Sequence, residues 1–293
     1  MKDKILTIIL WIALLGGLLF LNYPVWANLY NQLHKSQLIR AYQEQSDKVD
    51  QQILDEIYQQ AEQYNAQLAS NKGQIIKDAF DDEDITDAEY INLLNPDNNG
   101  IMGILEIPQI GVYLPIDHGT STYVITNRVG HMQGTSLPVG GESSHCILAS
   151  HRGLPSAELF TQLDILQTGD RFFIHILGRT LAYEVEQRKI VLPSEFSDIE
   201  IEQGKDYVTL ITCTPYGINS HRELVRGVRI PYEIEDSRTI KDKVNQNIWE
   251  WMLRQKLFWI SHIIFILFII INIIFAIVRK KKLKSSDVTL DKE

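Results

Sequence analysis

Two long uncharged apolar runs, one near each end of the chain, most strongly limit what this sequence can fold into. Residues 5–21 and 257–278 contain no charged side chain. As a helix, the second run is about 33 Å long, enough to cross a hydrocarbon core of about 30 Å, and the first is at the short end of that range. We therefore expect two membrane-spanning helices with a folded region between them.

The charges that flank these runs predict their orientation. Lys2 and Lys4 precede the first run, and five basic residues lie between positions 279 and 284. By the positive-inside rule, both termini are cytoplasmic and the region between the runs is extracellular. A cleaved signal peptide is the alternative for residues 1–27, and it would leave the C-terminal anchor in place.

Charge also limits the partners of the region between the runs. Between the runs lie 20 of the 28 basic residues of the chain and 33 of its 37 acidic residues. The net charge of this region is therefore near −13. An acidic surface lacks the basic excess that nucleic-acid phosphates require. We expect membrane lipid as a partner and no nucleic acid.

Composition and periodicity divide the chain into six segments. We predict an anchor at 1–27 and an external helical region at 28–99. We predict a β domain at 100–236, an amphipathic juxtamembrane helix at 237–256, a second span at 257–278 and a basic tail at 279–293.

Within the helical region, apolar residues recur at helical spacing between Val49 and Leu68. This pattern predicts one amphipathic helix over residues 28–72, with Gly73 as its stop signal. The acidic stretch at 77–99 ends in a cluster of Asn, Pro and Gly, which is typical of a solvated loop.

From Ile101 to about Ile234, apolar residues alternate in short runs separated by Gly and Pro, which predicts an all-β sandwich or closed barrel. Short helices are expected at 123–128 and 157–165. The predicted strands are 101–107, 146–150, 171–176, 180–191, 207–213 and 223–230.

Three residues with reactive side chains lie at predicted strand ends. Cys213 ends an apolar strand, Arg222 begins the next, and His151 follows the strand at 146–150. A thiolate attacks peptide carbonyls, a histidine transfers the accompanying protons, and an arginine stabilises an oxyanion. These residue types in these positions indicate a cysteine acyl-transfer site.

Other interpretations of the same residues remain open. Cys213 is alternatively a buried core residue, a disulfide partner of Cys146, or a zinc ligand with His145, Cys146 and His151. Adjacent strand residues point to opposite faces, which disfavours the zinc site, and we expect Cys146 to be a buried thiol. His221 is a second candidate base.

The sequence between Gly100 and Tyr232 resembles the class C, pilin-polymerising sortases. The Thr-Leu-x-Thr-Cys signature at 209–213 and the arginine nine residues later carry the resemblance, and the Thr-Pro-Tyr-Gly that follows Cys213 and the second apolar run point to class C. The further matching motifs are Gly103–Pro108, Leu114–Ile116, His118–Thr120, Gly130-His131, Gly134–Pro138, Ser150–Ser156, Thr214–Gly217, Asn219 and Leu224–Gly227.

The resemblance implies a sortase-type closed β-barrel, preceded by a helical and lid region and flanked by two transmembrane helices. It implies a catalytic triad of His151, Cys213 and Arg222, with no metal and no cofactor. It also implies a lid over the active site, for which Asp78-Ala79-Phe80 is the best match. The family usually has proline where this chain has Ala79, so the lid backbone is less restrained here.

The implied reaction is cleavage of a Leu-Pro-x-Thr-Gly-like sorting signal through a thioester on Cys213, followed by transfer to a pilin lysine. The implied partners are therefore pilin subunits that carry such signals and acceptor lysines. The alternatives are a cell-wall anchoring sortase that uses a peptidoglycan amine, a hydrolytic thiol protease and a non-catalytic scaffold for pilus assembly.

Overall fold

A computed structural model describes residues 2–70, 78–81, 87–96, 99–195, 197–232, 249–250, 252–253 and 255–290. These residues form two compact units, one of residues 1–25 with 250–293 and the other of Trp26–Trp249. The predicted stop at Gly73 and most of the predicted helix at 237–256 lie outside the described residues.

The smaller unit consists of two apolar helices, α1 (Lys2–Leu21) and α6 (Lys256–Leu290), which contain the two uncharged runs. Trp11 of α1 packs against Phe268 of α6, with ring centroids 5.6 Å apart. Among the described residues, no single helix combines the length and hydropathy needed to cross a bilayer. The consecutive helical segments Ile5–Leu21 and Tyr23–Ser46 meet that test only as a bent pair, by length and composition.

The larger unit is built around a closed eight-stranded barrel, which confirms the predicted barrel. Its strands are β1 (Ile101–Ile107), β2 (Val112–His118), β3 (Val129–His131), β4 (Ser144–Ala149), β5 (Arg171–Ile176), β6 (Arg179–Val191), β7 (Asp206–Thr214) and β8 (His221–Ile230). Around the barrel the order is β1-β2-β3-β4-β7-β8-β6-β5. The β2–β3 and β4–β7 pairs are parallel, and the others are antiparallel.

Two strands were not predicted, because β2 contains Pro115 and β3 has only three residues. Gly130 in β3 shows why the short Gly-His motif occurs there. A Cβ atom at this position would lie 2.4 Å from the carbonyl oxygen of Gly119, so only glycine permits this close approach.

The predicted single helix at 28–72 is wrong, because two helices occupy this region: α2 (Tyr23–Ser46) and α3 (Gln51–Ser70). Asp50 begins α3 by accepting a hydrogen bond from the backbone N–H of Gln52 at 2.8 Å. The buried face of α3 contains Leu54, Tyr58, Ala61 and Asn65, whereas Ile53 is half exposed.

The acidic segment also differs from the predicted solvated loop. Asp87 caps a short helix, α4 (Ala88–Asn92), through the backbone N–H groups of Glu89 and Tyr90. Tyr90 and Leu94 are fully buried in the barrel core. Two large apolar side chains thus tie this segment to the barrel despite its charge.

Of the two predicted short helices, the first is α5 (Thr122–Asn127). The second is wrong: residues 157–165 form turns that end in a 3-10 segment at Leu163–Ile165, since Leu159 adopts a left-handed φ of 41°.

Candidate active site

Cys213 and Arg222 face each other across two neighbouring strands. They are register partners in the antiparallel β7–β8 ladder, one residue from the end of β7. Directly opposite residues of such a ladder project from the same face of the sheet. Cys213 is 6% exposed and the Arg222 side chain 13%, so the thiol and the guanidinium share a largely desolvated site.

His151 is brought to the same barrel edge by the parallel pairing of β4 with β7. The last paired positions are Ala149 and Ile211, so His151 and Cys213 both lie two residues further along. Two hydrogen bonds fix the intervening residues: Ser150 N–H donates to the Ile211 carbonyl at 3.2 Å, and the Thr212 hydroxyl donates to the Ser150 carbonyl at 2.9 Å.

A turn that begins at Asp78 contacts both Arg222 and His151. Arg222 Nε donates to both Asp78 carboxylate oxygens, at 2.9 and 3.1 Å, and the second guanidinium nitrogen, Nη2, donates to Asp78 as well. The Phe80 ring lies 5.5 Å from the His151 ring and 4.9 Å from the Arg222 guanidinium carbon. The turn therefore contacts two of the three predicted catalytic side chains.

Between these two contacts, Ala79 packs into an apolar cluster beside the site. Ala79 is 3% exposed and, with Asp78, forms one wall of a small groove. The apolar residues that line the groove are Met132, Val191, Leu192, Pro193, Ile199, Ile211 and Leu224. They come from four separate parts of the chain, so sequence reasoning gave no signal for them.

The surroundings favour the uncharged forms of the thiol and the imidazole. Burial raises the pKa of Cys213, with Asp78 adding to the rise and Arg222 and Arg152 opposing it. Burial, together with the charge of Arg222, lowers the pKa of His151. Burial opposes the charge on Arg222, but the Asp78 hydrogen bonds raise the pKa of Arg222 on balance.

The other sequence candidates lie elsewhere. Cys146 is buried in β4 among core residues, and both cysteines are free thiols. His145 bonds the Glu200 carbonyl and the Thr209 hydroxyl, so its ring is already engaged. His221 pairs with Thr214 and contacts the Ser220 hydroxyl at 2.9 Å. Within the residues described above, His, Cys, Asp and Glu form no cluster able to hold a metal ion.

Comparison with known proteins places this barrel in a family. Residues 105–230 match the sortase domain family. The chain is similar to Sortase D of Bacillus subtilis (strain 168), with 30% identity over 169 residues, which cover 56% of this chain and 81% of that protein.

Solved structures with this fold include two sortases from streptococci. The type II crystal structure of Streptococcus agalactiae Sortase C1 is 44% identical with a TM-score of 0.62, over 66% of this chain and 98% of that one. Streptococcus pneumoniae Sortase C is 43% identical with a TM-score of 0.61, over 67% and 97%. The crystal structure of this second protein gave insights into its catalysis and its pilin substrate specificity.

Proposed function

This chain belongs to the sortase family of cysteine transpeptidases, and we propose that it is a class C member that joins pilin subunits on the outer surface of the cell. The observation that carries the proposal is the Cys213–Arg222 pair at one barrel edge, with His151 beside it and the Asp78–Phe80 turn on top. The resemblance to structures of Sortase C proteins supports the choice of pilin.

In the proposed mechanism, the Cys213 thiolate attacks the Thr carbonyl carbon of a Leu-Pro-x-Thr-Gly-like signal. Arg222 stabilises the oxyanion while the Thr–Gly C–N bond breaks. Protonated His151 gives its proton to the departing glycine amine, which leaves a thioester on Cys213.

The second half of the reaction releases the product. A lysine amine of another pilin subunit attacks the thioester carbon and gives a proton to His151. The C–S bond breaks, Cys213 returns as a thiolate, and an isopeptide bond joins the two subunits. No step needs an oxidant, a metal or a nucleotide.

We propose that residues Asp78, Ala79 and Phe80 form a lid that must leave before a sorting signal binds. The turn bonds the Arg222 guanidinium through Asp78 and at the same time packs Ala79 against the apolar residues beside the site. In this position its charge and its bulk both favour a resting thiol over a reactive thiolate.

The proposed topology places residues 28–256 outside the cell between two membrane spans. The basic residues outside each apolar run support this orientation. A membrane-impermeant thiol reagent applied to intact cells tests it with single cysteines at Ser286 and Gln203 in a variant that lacks the native cysteines. Labelling of Gln203→Cys alone is expected, and labelling of Ser286→Cys would contradict the topology.

The reaction itself is tested with the full-length protein, a sorting-signal peptide and two amines: a lysine-bearing pilin domain and a peptidoglycan-type amine. We expect an isopeptide-linked product with the pilin lysine, which Cys213→Ala abolishes. Preferred transfer to the peptidoglycan-type amine would contradict pilin polymerisation, and hydrolysis alone would contradict transfer.

A further inference from the structure

Arg152, the residue after His151, makes contacts behind all three proposed catalytic positions. Its Nη1 donates to a Glu223 carboxylate oxygen at 2.9 Å and to the Thr214 hydroxyl at 3.4 Å. Thr214 follows Cys213, and Glu223 follows Arg222. Arg152 is therefore itself the neighbour of His151, and its guanidinium contacts the residue that follows each of the other two reactive residues.

This arrangement follows from strand geometry. Successive residues of a strand point to opposite faces, so Thr214 of β7 and Glu223 of β8, each next to a reactive residue, lie behind the site. Arg152 follows the end of β4 and reaches both residues through its guanidinium. The reactive side chains form one cluster at the barrel edge, and Arg152, Thr214 and Glu223 form a second cluster on the reverse side.

The second cluster is a network of ion pairs in which acidic and basic side chains alternate, with Arg152 and Glu223 buried at its centre. The Glu223 side chain is 1% exposed and accepts hydrogen bonds from Arg152 at 2.9 Å and from Arg188 Nε at 2.7 Å. The Arg152 side chain is 5% exposed and also reaches Asp164 at 2.9 Å and the Thr161 carbonyl at 3.2 Å. At the two ends of this network, the side chains of Asp164 and Arg188 are each 42% exposed.

Stability alone is a weak reason for such a network. Replacing a buried ion pair with apolar residues of similar size is often neutral or stabilising, because burial removes both charges from water. The hydrogen bonds of Arg152 to Glu223 and Thr214 do connect three separate backbone segments, with a defined geometry that apolar contacts impose less specifically.

We propose that Arg152 is a positioning residue, and that its buried pair with Glu223 sets the geometry of His151, Cys213 and Arg222 from behind. This inference rests on the proposed catalytic roles of those three residues. Arg152 touches neither the sorting signal nor the reacting atoms in this scheme.

The charge of Arg152 supports the proposal, because it favours the thiolate form of Cys213. Arg222 of β8 and Asp78 of the lid lie on the side of the thiol, and Arg152 acts on it from behind. The two arginines lower the pKa of Cys213, against burial and Asp78, which raise it. The segment after β4 contributes one further titratable group to the site, His151.

The first test compares Arg152→Lys and Glu223→Gln with a matched control, Arg188→Gln, in the full-length protein. Arg188 bonds the other oxygen of the same carboxylate but adjoins no catalytic position. We expect the first two variants to lose about tenfold or more in kcat with little change in KM, and the control to keep wild-type kcat. Equal losses in all three would overturn the proposal.

A second variant separates positioning from folding. The double substitution Arg152→Met with Glu223→Leu removes both buried charges, so we expect thermal stability near that of the wild type. We expect its kcat to remain low, and the pH midpoint of Cys213 alkylation to move upwards because the arginine charge is gone. Wild-type kcat and an unmoved midpoint in a folded double variant would overturn the proposal.

The alkylation readout also keeps the two proposals distinguishable. It needs no sorting signal, and Cys213→Ala identifies the modified thiol. If neither the wild-type protein nor the lid variant with Asp78→Ala and Phe80→Ala forms an acyl adduct, the proposed function fails. If wild type forms the adduct but neither kcat nor the alkylation midpoint responds to the Arg152 variants, the positioning role alone fails.

Discussion

At the scale of single residues, strand ends explain why a few side chains carry the proposed chemistry. His151, Cys213 and Arg222 sit where two parallel strands and one hairpin partner reach the same barrel edge. The rigid ladder holds their backbones, and the thiol, imidazole and guanidinium project into a partly desolvated site. In the proposed lid, Arg222 can contact a substrate only after its hydrogen bonds to Asp78 break.

The Asp78 contact predicts the effect of removing one charge. Asp78→Asn keeps the shape of the side chain but weakens its charged hydrogen bonds to Arg222, which contribute about 1.5–3 kcal/mol. We expect the fraction of molecules with an open lid to rise about tenfold or more. The rate of Cys213 alkylation at neutral pH should rise by a comparable factor.

Asp81→Asn is the matched control for this prediction, because it removes the same charge from the same turn without a hydrogen bond to Arg222. Its alkylation rate should stay close to that of the wild type. If Asp78→Asn and Asp81→Asn react equally fast, the lid contact does not hold the site closed.

At the scale of elements, side chains of the two helices before the barrel, α2 and α3, form hydrogen bonds with the backbone of the β domain. Tyr58 of α3 donates to the Val139 carbonyl at 2.6 Å, and Tyr42 of α2 donates to the Met102 carbonyl at 2.9 Å. Asn65 of α3 bonds both backbone groups of Leu137, accepting from the N–H at 2.7 Å and donating to the carbonyl at 3.1 Å. Polar side chains of α2 and α3 thus complete backbone hydrogen bonds of the barrel.

This docking predicts the cost of Asn65→Ala. The substitution leaves the buried Leu137 N–H without its partner, whereas the Leu137 carbonyl keeps its hydrogen bond from the Val139 N–H. An unsatisfied buried group costs about 1–3 kcal/mol. We expect a loss of that size in the free energy of unfolding, measured by urea denaturation. Gln67→Ala, at an exposed α3 position, should change it by less than about 0.5 kcal/mol. Equal effects would show that α3 does not need the Asn65 contacts.

Sequence patterns predicted some elements and missed others for physical reasons. Six strands were predicted near their observed positions, because short apolar runs bounded by Gly and Pro are typical of strands, including fully buried ones such as β1 and β4. The break between α2 and α3 was missed, since Asp50 looks like any polar residue until its side chain caps α3. No sequence pattern indicated that Glu223 is buried, and only the structure shows Arg152 buried against it.

At the scale of the whole molecule, buried neutral histidines link folding to pH. Burial lowers the pKa of His131 to about 4 and that of His145 to about 4. Tyr90 and Ser136 bond the two ring nitrogens of His131, which is fully buried. Both histidines therefore stay neutral in the folded chain at pH values where an unfolded chain would protonate them.

This difference predicts acid sensitivity with a definite sign. The unfolded state binds protons near pH 6.5 and the folded state only near pH 4, so the stabilising contribution is full above pH 6.5 and is lost as the pH falls towards 4. Each histidine adds a slope of about 1.4 kcal/mol per pH unit within that window. His131→Gln should reduce the slope measured by denaturation, and an unchanged slope would contradict a neutral buried His131.

The central claim is that Cys213 carries the acyl group in the transfer reaction. Intact mass of the full-length protein after incubation with a Leu-Pro-x-Thr-Gly peptide tests it most directly, in wild type, Cys213→Ala and a variant with Asp78→Ala and Phe80→Ala. We predict an adduct of the peptide up to its Thr, mapped to Cys213, largest in the lid variant and absent from Cys213→Ala. An adduct that persists in Cys213→Ala, or none in the lid variant, would contradict the claim.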